Sequence, residues 1–353
     1  MKKCNYCNFF SIVADKSIQS RYLQLLIKEI STYKAVRVRV KSIYIGGGTP
    51  TIYTPSEIKM ILNSCHKTFD LVSNPEISIE ANPITLSKSK LLALKKSGIT
   101  RISVGIQSLS DRLLKILGRL HDSNTATETI KAVKDTGFKS WNVDLMYAIP
   151  TQTIKEWKET LKRITNFDPP HLSLYSLIIE EGTPLHRTIL SGKLKPVEDE
   201  GFEMYQWAID YLKSIGYEHY EISNFAKPMH RCIHNLSYWK NTYYLGIGNS
   251  ASSFFRGWRF TRSTSIRKYT GFSERIKLSK KEQEKETMIM GLRLIEGVKK
   301  KRFQKRFKED IYTVFGKQIE RLIEAGLLED NGSHIRLTER GIMLGNHVFE
   351  EFV

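Results

Sequence analysis

The stretch Arg101-Ile-Ser-Val-Gly-Ile-Gln107 lies at the centre of a regular series of strand patterns. Its apolar side chains alternate with polar ones, as in a half-buried strand. Comparable patterns lie at 40–45, 76–83, 140–147 and 171–179, and a helical pattern separates each from the next. Strict alternation of strands and helices predicts parallel strands with the helices packed outside them.

Polar side chains share one face of three of these strands. In each strand the apolar residues have one parity and the polar residues the other, with the polar ones near the carboxyl end. Strands of an open parallel sheet, covered on both faces, are apolar throughout. A barrel with a polar carboxyl-terminal mouth gives the observed pattern, so we predict that Glu80, Gln107 and Asp144 converge on one site. Helix capping or turn formation is the alternative for each residue taken alone.

Three consecutive glycines follow the strand at 40–45, in Gly46-Gly-Gly-Thr-Pro50. Glycine lets the backbone approach a ligand closely, because no Cβ intervenes. The segment is neither a P-loop nor a dinucleotide fingerprint. A plain tight turn would need one glycine, so we favour ligand contact.

Two of the four cysteines, Cys4 and Cys7, form a C-x-x-C pair near the beginning of the chain. Such a pair can direct two thiolates at a metal ion or an iron–sulfur cluster. A zinc site, a redox dithiol and two inert thiols are the alternatives, and no second pair completes a zinc motif. Cys65 lies within a helical pattern and is expected to be a buried apolar residue.

Beyond residue 180 the alternation ends. The segment 230–251 contains His234 and Cys232 among aromatic residues, which fits either a pocket wall or an aromatic cover over the core. Residues 256–279 are basic and are predicted to be a linker. Three predicted helices, at 279–294, 306–314 and 316–325, precede a hairpin with an Asn-Gly turn, a winged-helix pattern. We therefore divide the chain into a barrel at 1–180, its extension at 181–255, the linker, and a terminal domain at 280–353.

The chain has 353 residues and a net charge of +18. No apolar run is long enough to span a membrane and no signal peptide pattern is present, so we expect a cytoplasmic protein, with peripheral membrane contact left open. The basic residues are dispersed, without an aromatic-and-basic nucleic-acid motif. We therefore expect no nucleic-acid partner, although the winged-helix pattern keeps DNA binding open. A basic surface also favours acidic small molecules.

Seven motifs resemble, in order and over nearly the whole chain, those of radical S-adenosylmethionine (SAM) proteins. The resemblance is greatest to the branch of oxygen-independent coproporphyrinogen III oxidases and HemW haem chaperones. The motifs are Lys3-Cys-Asn-Tyr-Cys-Asn-Phe9, Gly46-Gly-Gly-Thr-Pro50, Glu80-Ala-Asn-Pro83, Gly105-Ile-Gln-Ser108, Gly118-Arg-Leu-His121, Asp144-Leu-Met-Tyr-Ala-Ile-Pro150 and His234-Asn-Leu-Ser-Tyr-Trp239.

The resemblance implies an α/β fold: a partial (β/α)6 TIM-like barrel, lacking its first strand here, followed by a small winged-helix-like α+β domain. It also implies a [4Fe–4S] cluster held by cysteines, with one iron left open for SAM. Cys4 and Cys7 would be cluster ligands. Main-chain groups of Gly47, Gly48 and Thr49 would bind the methionine part of SAM. Glu80, Gln107, Arg119 and Asp144 would bind its polar ends, and His234 would contact haem.

Two functions compete on this basis. In the first, the protein is a haem chaperone that binds haem and delivers it to haem-accepting proteins, with an electron donor for the cluster. In the second, it is a coproporphyrinogen III oxidase that decarboxylates propionate side chains to give protoporphyrinogen IX. The short length and the segment at His234 favour the chaperone, and whether the protein is an enzyme stays open.

The beginning of the sequence departs from the family pattern. The family motif is C-x-x-x-C-x-x-C, and counting back from Cys4 places its first cysteine one residue before Met1. The family's first strand would also precede Met1. We therefore expect the natural protein to start upstream. If Met1 is the true start, a haem- or porphyrin-binding protein without a cluster is the third possibility.

Overall fold

The computed structural model describes residues 3–197, 200–266, 269 and 271–353. Met1, on which the expectation of an upstream start depends, lies outside the described residues, as do the first two residues of the helix predicted at 198–215. The chain divides into two units. The first comprises the residues through Glu218 together with Ser223–His230, and the second comprises His219–Ile222 and Arg231–Val353.

The first unit alternates strands and helices, as the sequence predicts. Its strands are β1 (Arg39–Ile45), β2 (Asp70–Ala81), β3 (Arg101–Gln107), β4 (Ser140–Tyr147) and β5 (His171–Ser176). Its helices are α1 (Lys16–Thr32), α2 (Pro55–Thr68), α3 (Lys88–Lys96), α4 (Asp111–Leu117), α5 (Ser123–Thr136), α6 (Ile154–Thr165), α7 (Pro184–Leu190) and α8 (Glu200–Ser214). The short strand β6 (Glu218–Glu221) begins at the end of this unit, and β7 (Asn224–Ala226) returns to it.

The sheet of the first unit follows chain order. Strands β1 to β5 are hydrogen-bonded in sequence and all four pairings are parallel. Strand β7 pairs antiparallel with β5. Tyr44 on β1 is close enough to Asp144 on β4 and Tyr175 on β5 to interact with them electrostatically. In a flat sheet β1 and β5 would lie about 19 Å apart, so the sheet must be curled. These features confirm the predicted partial barrel.

Local sequence sets the helix boundaries. Thr54 and Glu57 form a reciprocal capping box at the start of α2, and Thr153 and Glu156 do the same for α6. Outside the sheet, apolar side chains of the strands are buried against the helices, among them Ile79, Val104 and Val143. The polar side chains of opposite parity are thus left for the concave interior.

Several boundaries differ from the sequence predictions. Strand β2 begins at Asp70, six positions before the predicted start, and β5 ends at Ser176. Helix α7 follows a loop that sequence reasoning left without structure. The single strand predicted at 217–225 is two short strands, because the chain turns back between Glu221 and Asn224.

The second unit begins with α9 (Ile233–Trp239) and a three-stranded antiparallel sheet of β8 (Ser252–Phe255), β9 (Trp258–Arg262) and β10 (Phe272–Lys277). Residues 256–279 therefore contain two strands where a linker was expected. The aromatic residues of β9 alternate with arginines and threonine, so the basic composition concealed a strand period.

A winged-helix arrangement completes the second unit. It contains α10 (Lys280–Gly291), β11 (Val298–Lys299), α11 (Lys300–Phe307), α12 (Ile311–Glu324), β12 (Leu328–Asp330), β13 (His334–Leu337), α13 (Glu339–Met343) and α14 (Gly345–Glu350). The sheet order is β11-β13-β12. The helices predicted at 306–314 and 316–325 were misplaced, because Gly316 does not end α12 and only Phe315 leaves helical geometry. No helix among the described residues is long and apolar enough to cross a membrane.

Candidate cofactor site

The C-x-x-C segment forms a tight turn at the edge of the first unit. Cys4 and Cys7 are both free thiols and both are partly exposed. The Cys7 main-chain N–H donates to the Cys4 carbonyl over 3.4 Å, which closes the turn. Two accessible sulfurs on one turn are suited to bind a soft metal centre.

Asn5, between the two cysteines, anchors this turn. Its main-chain N–H donates to the Leu117 carbonyl and its side-chain Nδ2 to the Ile116 carbonyl, each over 2.9 Å. Its own carbonyl accepts from the Leu185 N–H over 2.9 Å. The turn is therefore held between the carboxyl end of α4 and the start of α7. Sequence reasoning missed Asn5, although its position inside the C-x-x-C pair was a usable signal.

Arg119 connects the turn with the sheet. Its Nη1 donates to Cys4 Sγ over 3.4 Å and its Nη2 to the Gly105 carbonyl over 2.6 Å. The side chains of Gln107 and Arg119 both approach Gly105. A Cβ built on Gly105 would lie 3.0 Å from Gln107 Nε2 and 3.4 Å from Arg119 Nη2. The buried Nε of Arg119 has no hydrogen-bond partner among the described residues. A buried donor without a partner is costly, which indicates that a ligand or water completes this site.

The glycine loop packs on Glu80. The Gly47 N–H donates to Glu80 Oε2 over 3.1 Å, and the Tyr44 hydroxyl donates to Glu80 Oε1 over 2.7 Å. Gly47 and Gly48 have φ values of 79° and 51°, where glycine is favoured. Gly48 lies near Ser11, and Thr49 precedes the helical turn Pro50–Ile52. Tyr44 was not predicted, although its parity on β1 places it on the polar face.

Asp144 lies in a buried network on the concave side of the sheet. Ser103 Oγ donates to Asp144 Oδ2 over 3.0 Å, and Asn142 Nδ2 donates to Asp144 Oδ1 over 2.6 Å. Burial, together with the negative charge of Glu80, raises the pKa of Asp144 to about 6, against the lowering effect of its hydrogen bonds. The pKa of a site carboxyl thus lies close to neutral pH.

Tyr6 lies between the cysteine turn and the carboxyl of Asp144. It packs against the apolar cluster of Leu113, Leu117 and Leu185. Its phenol interacts electrostatically with Arg119, Cys4, Cys7 and Asp144, and burial raises its pKa above the usual range. The structure therefore brings nine of the predicted residues into one region of the first unit: Cys4, Cys7, Gly47, Gly48, Thr49, Glu80, Gln107, Arg119 and Asp144.

His234, the remaining predicted residue, belongs to the second unit. It lies on α9 with its Nε2 2.9 Å from the Tyr238 hydroxyl, and the two rings meet edge to face. The end of α9 is held by α11: Arg302 Nη2 donates to the Lys240 carbonyl over 2.7 Å, and Arg306 Nη1 to the Asn241 carbonyl over 2.6 Å. Cys232, just before α9, is buried.

The donor set fits the implied groups in part. Cys4 and Cys7 offer two soft sulfur donors, with the Arg119 guanidinium next to Cys4 Sγ. The unsatisfied Arg119 Nε, together with the acidic side chains of Glu80 and Asp144 in the same site, fits a polar, zwitterionic ligand such as SAM. Within the described ranges no group of three or more His, Cys, Asp and Glu side chains could hold a metal ion. Among the described residues, Cys4 and Cys7 would therefore supply two ligands of a cluster.

Two family models match the sequence. Residues 1–164 match the radical SAM superfamily, and residues 278–344 match the HemN C-terminal domain. The structure resembles that of coproporphyrinogen III oxidase HemN from Escherichia coli, with a TM-score of 0.86, 22% identity, and coverage of 99% of this chain and 87% of that one. This likeness supports the fold.

Relatives along the full length are more specific. The chain is 35% identical to the haem chaperone HemW of Lactococcus lactis subsp. lactis, over 99% of this chain and 94% of that protein. It is 32% identical to HemW of Escherichia coli, over 100% and 95% of the two chains. The chain belongs to the radical SAM superfamily and, within it, to the HemW family.

Proposed function

We propose that this protein is a haem chaperone of the HemW type, which binds haem and delivers it to haem-accepting proteins. The observation that carries the proposal is the 35% identity to the Lactococcus lactis haem chaperone over nearly the whole of both chains. The match of residues 278–344 to the HemN C-terminal domain supports this proposal. A cytoplasmic location is part of the proposal.

The site of the first unit would bind a [4Fe–4S] cluster and SAM. Cys4 and Cys7 would be ligands of the cluster, with Arg119 Nη1 lying 3.4 Å from Cys4 Sγ. Glu80 and Asp144 would attract the cationic parts of SAM, and the Gly47–Gly48 main chain would approach its methionine part. When bound, the two groups would supply one-electron reductive cleavage of the sulfonium, for which an electron donor is needed.

Haem binding would involve His234. Imidazole nitrogen is a common ligand of haem iron. Because the Tyr238 hydroxyl lies 2.9 Å from His234 Nε2, coordination through that nitrogen would require this hydrogen bond to open. The aromatic side chains of Tyr238 and Tyr244, which meet at 4.6 Å between ring centroids, offer an apolar wall for a porphyrin face.

Haem titration tests the proposal. The wild-type protein should give a Soret shift at stoichiometric haem, and His234→Ala should weaken binding and change the spectrum. His347→Ala is the matched control, since His347 is an exposed histidine of the same unit whose nearest charged contact is Glu350 at 3.9 Å. No Soret change with any of the three proteins would overturn the proposal.

A decarboxylase activity is the competing outcome. The fold shared with coproporphyrinogen III oxidase makes the assay worthwhile. Protein reconstituted without air should be incubated with SAM, a reductant and coproporphyrinogen III. We expect no protoporphyrinogen IX, and its formation at enzymatic rates would replace the chaperone proposal by the oxidase.

A further inference from the structure

A chain of buried polar groups extends from Asp144 along the same face of the sheet. Asn142 lies two residues before Asp144 on β4. In the strand register Asn142 is paired with His171 on β5. His171 Nδ1 is 2.6 Å from Asn142 Oδ1. Asn142 Nδ2 is 2.6 Å from Asp144 Oδ1, 2.7 Å from Ser103 Oγ and 2.9 Å from Ser173 Oγ. His171 and Asn142 are both almost completely buried.

The direction of these hydrogen bonds follows from chemistry. Three oxygens surround Asn142 Nδ2, so this atom is the amide nitrogen and the opposite atom is the carbonyl oxygen. A carbonyl oxygen only accepts, so His171 must donate from Nδ1. Burial, together with electrostatic interactions with Arg101 and His230, lowers the pKa of His171 well below its usual value. His171 is therefore neutral with its proton on Nδ1.

This arrangement prevents the amide from turning over. With Asn142 reversed, its oxygen would face the Asp144 carboxyl at 2.6 Å, and its NH2 group would face the Nδ1–H of His171. The first contact would be repulsive, and the second would require the His171 proton to move from Nδ1 to Nε2, in a buried setting where unsatisfied polar groups are costly. The donor from Asn142 keeps Asp144 Oδ1 in place while Ser103 holds Oδ2.

We propose that His171 and Asn142 are positioning residues that orient the Asp144 carboxyl toward the cofactor site. Through Asp144 they set the affinity of this site for a cationic nucleoside such as SAM, without touching that ligand. The ligand identity rests on the proposed function above. The positioning itself rests on the hydrogen bonds of residues on β3, β4 and β5.

Two variants of His171 distinguish the effect of its N–H donor from the effect of its ring size. His171→Phe keeps a ring but removes the N–H donor. His171→Asn loses the ring but places an N–H near the position of Nδ1. We expect His171→Phe to bind SAM about tenfold more weakly in calorimetry, the effect of losing one hydrogen bond. His171→Asn should restore most of the affinity. His219→Phe, a buried histidine hydrogen-bonded to the Ile222 carbonyl, is the control and should bind SAM like wild type.

A second measurement does not require SAM. Asp144 can be titrated by NMR in protein labelled with ¹³C at the aspartate carboxyl, with Asp144→Asn identifying its signal. The charged or titratable groups that act on it are Glu80 on β2, Tyr44 on β1 and Tyr6 in the N-terminal turn. The titration midpoint should rise in His171→Phe, which loosens a donor to the carboxylate, and should stay near wild type in His171→Asn.

The outcomes are distinct. If wild type binds no SAM, the proposed cofactor fails while the NMR titration still tests the positioning. An unchanged midpoint and unchanged SAM affinity in His171→Phe, or equal losses in both His171 variants, would overturn the inference. If His171→Phe does not fold, Asn142→Leu replaces it. That change keeps a similar size, adds no charge and removes the amide donor, so the Asp144 midpoint should rise, and a midpoint equal to wild type would overturn the inference.

Discussion

Tyr44 and Glu80, on the neighbouring parallel strands β1 and β2, are joined by a hydrogen bond from the Tyr44 hydroxyl to Glu80 Oε1 over 2.7 Å. The second carboxylate oxygen accepts from the Gly47 N–H over 3.1 Å. Both oxygens of Glu80 are thus fixed, one by a side chain and one by the glycine loop. This position of the Glu80 carboxylate, called the Glu80 seat below, requires that residue 46 has no side chain.

Gly46→Ala should displace Glu80. A Cβ at this position would lie 2.6 Å from Tyr44 Cε1 and 2.9 Å from Glu80 Oε1, so one of the two side chains must move. We expect SAM affinity to fall about tenfold or more in calorimetry. Gly316→Ala is the control, because its nearest contact would be 3.9 Å away within α12. If Gly46→Ala and Gly316→Ala bind alike, the Glu80 seat is unimportant for the ligand.

Gly118→Ala should disturb the cysteine turn. Gly118 has a φ of 70°, and a Cβ there would lie 2.6 Å from Asn5 Cγ, the residue that anchors Cys4 and Cys7. Gly137→Ala is a matched control with a φ of 67°, whose Cβ would meet only Lys95 Nζ at 3.5 Å. Both changes share a backbone penalty of about 1–2 kcal/mol. Only Gly118→Ala should lower the iron content after anaerobic reconstitution.

The same iron assay tests the cysteines themselves. Cys4→Ser and Cys7→Ser should each reduce bound iron and the cluster absorbance relative to wild type, because the thiolate is the ligand. Cys65→Ser is the control, since Cys65 is buried in α2 and burial raises its pKa to about 11. Equal iron in all four proteins would show that Cys4 and Cys7 are not the ligands, and iron at background in all four would favour a binding protein without a cluster.

Asp144 should make stability depend on pH. Its pKa is about 6 in the folded chain against 3.8 when exposed, so between about pH 4 and 6 the folded state binds more protons than the unfolded state. Stability from this residue therefore increases as the pH falls through that window, by up to roughly 3 kcal/mol. Buried His121 and His171 have lowered pKa values and act in the opposite direction.

The contribution of Asp144 to the pH dependence of stability is obtained by comparing wild type with Asp144→Asn. The free energy of unfolding of wild type minus that of Asp144→Asn, measured in urea from pH 4 to 8, should become less favourable to wild type as the pH rises. A difference that stays constant over this range would contradict the assigned pKa.

Tyr238→Phe should strengthen haem binding if His234 coordinates iron through Nε2. The change removes the hydroxyl that lies 2.9 Å from that nitrogen and so removes a hydrogen bond that must otherwise break. A gain of about threefold to tenfold in affinity is expected from a bond of this kind. Weaker haem binding in Tyr238→Phe would instead assign the phenol itself a role at the haem.

Strand parity and glycine motifs predicted much of the first unit. The alternation around Arg101–Gln107 gave the parallel sheet, and the shared parity of Glu80 and Asp144 placed both on its concave side. Gln107 was harder, because a bulge between Gly105 and Gln107 breaks the alternation and gives Gln107 a φ of 67°. Parity alone does not reveal a bulge.

The partners behind the site could not be read from the sequence. Asn142 and His171 are 29 positions apart, and their hydrogen bond arises only from the register of β4 against β5. Asn5 and Leu117 meet in the same way through tertiary packing. In the second unit, β9 and β10 were missed because arginines alternate with aromatic rings and stack on them, as Arg275 does on Trp258 at 4.7 Å.

The hydrogen bonds of Arg302 and Arg306 to the carbonyls at the end of α9 have a consequence for truncated forms of the protein. A helix of seven residues is not autonomous in water, and α9 relies on these two guanidinium groups from α11. A protein shortened before α11 would lose both hydrogen bonds, so we expect the histidine-bearing helix to be less stable in it.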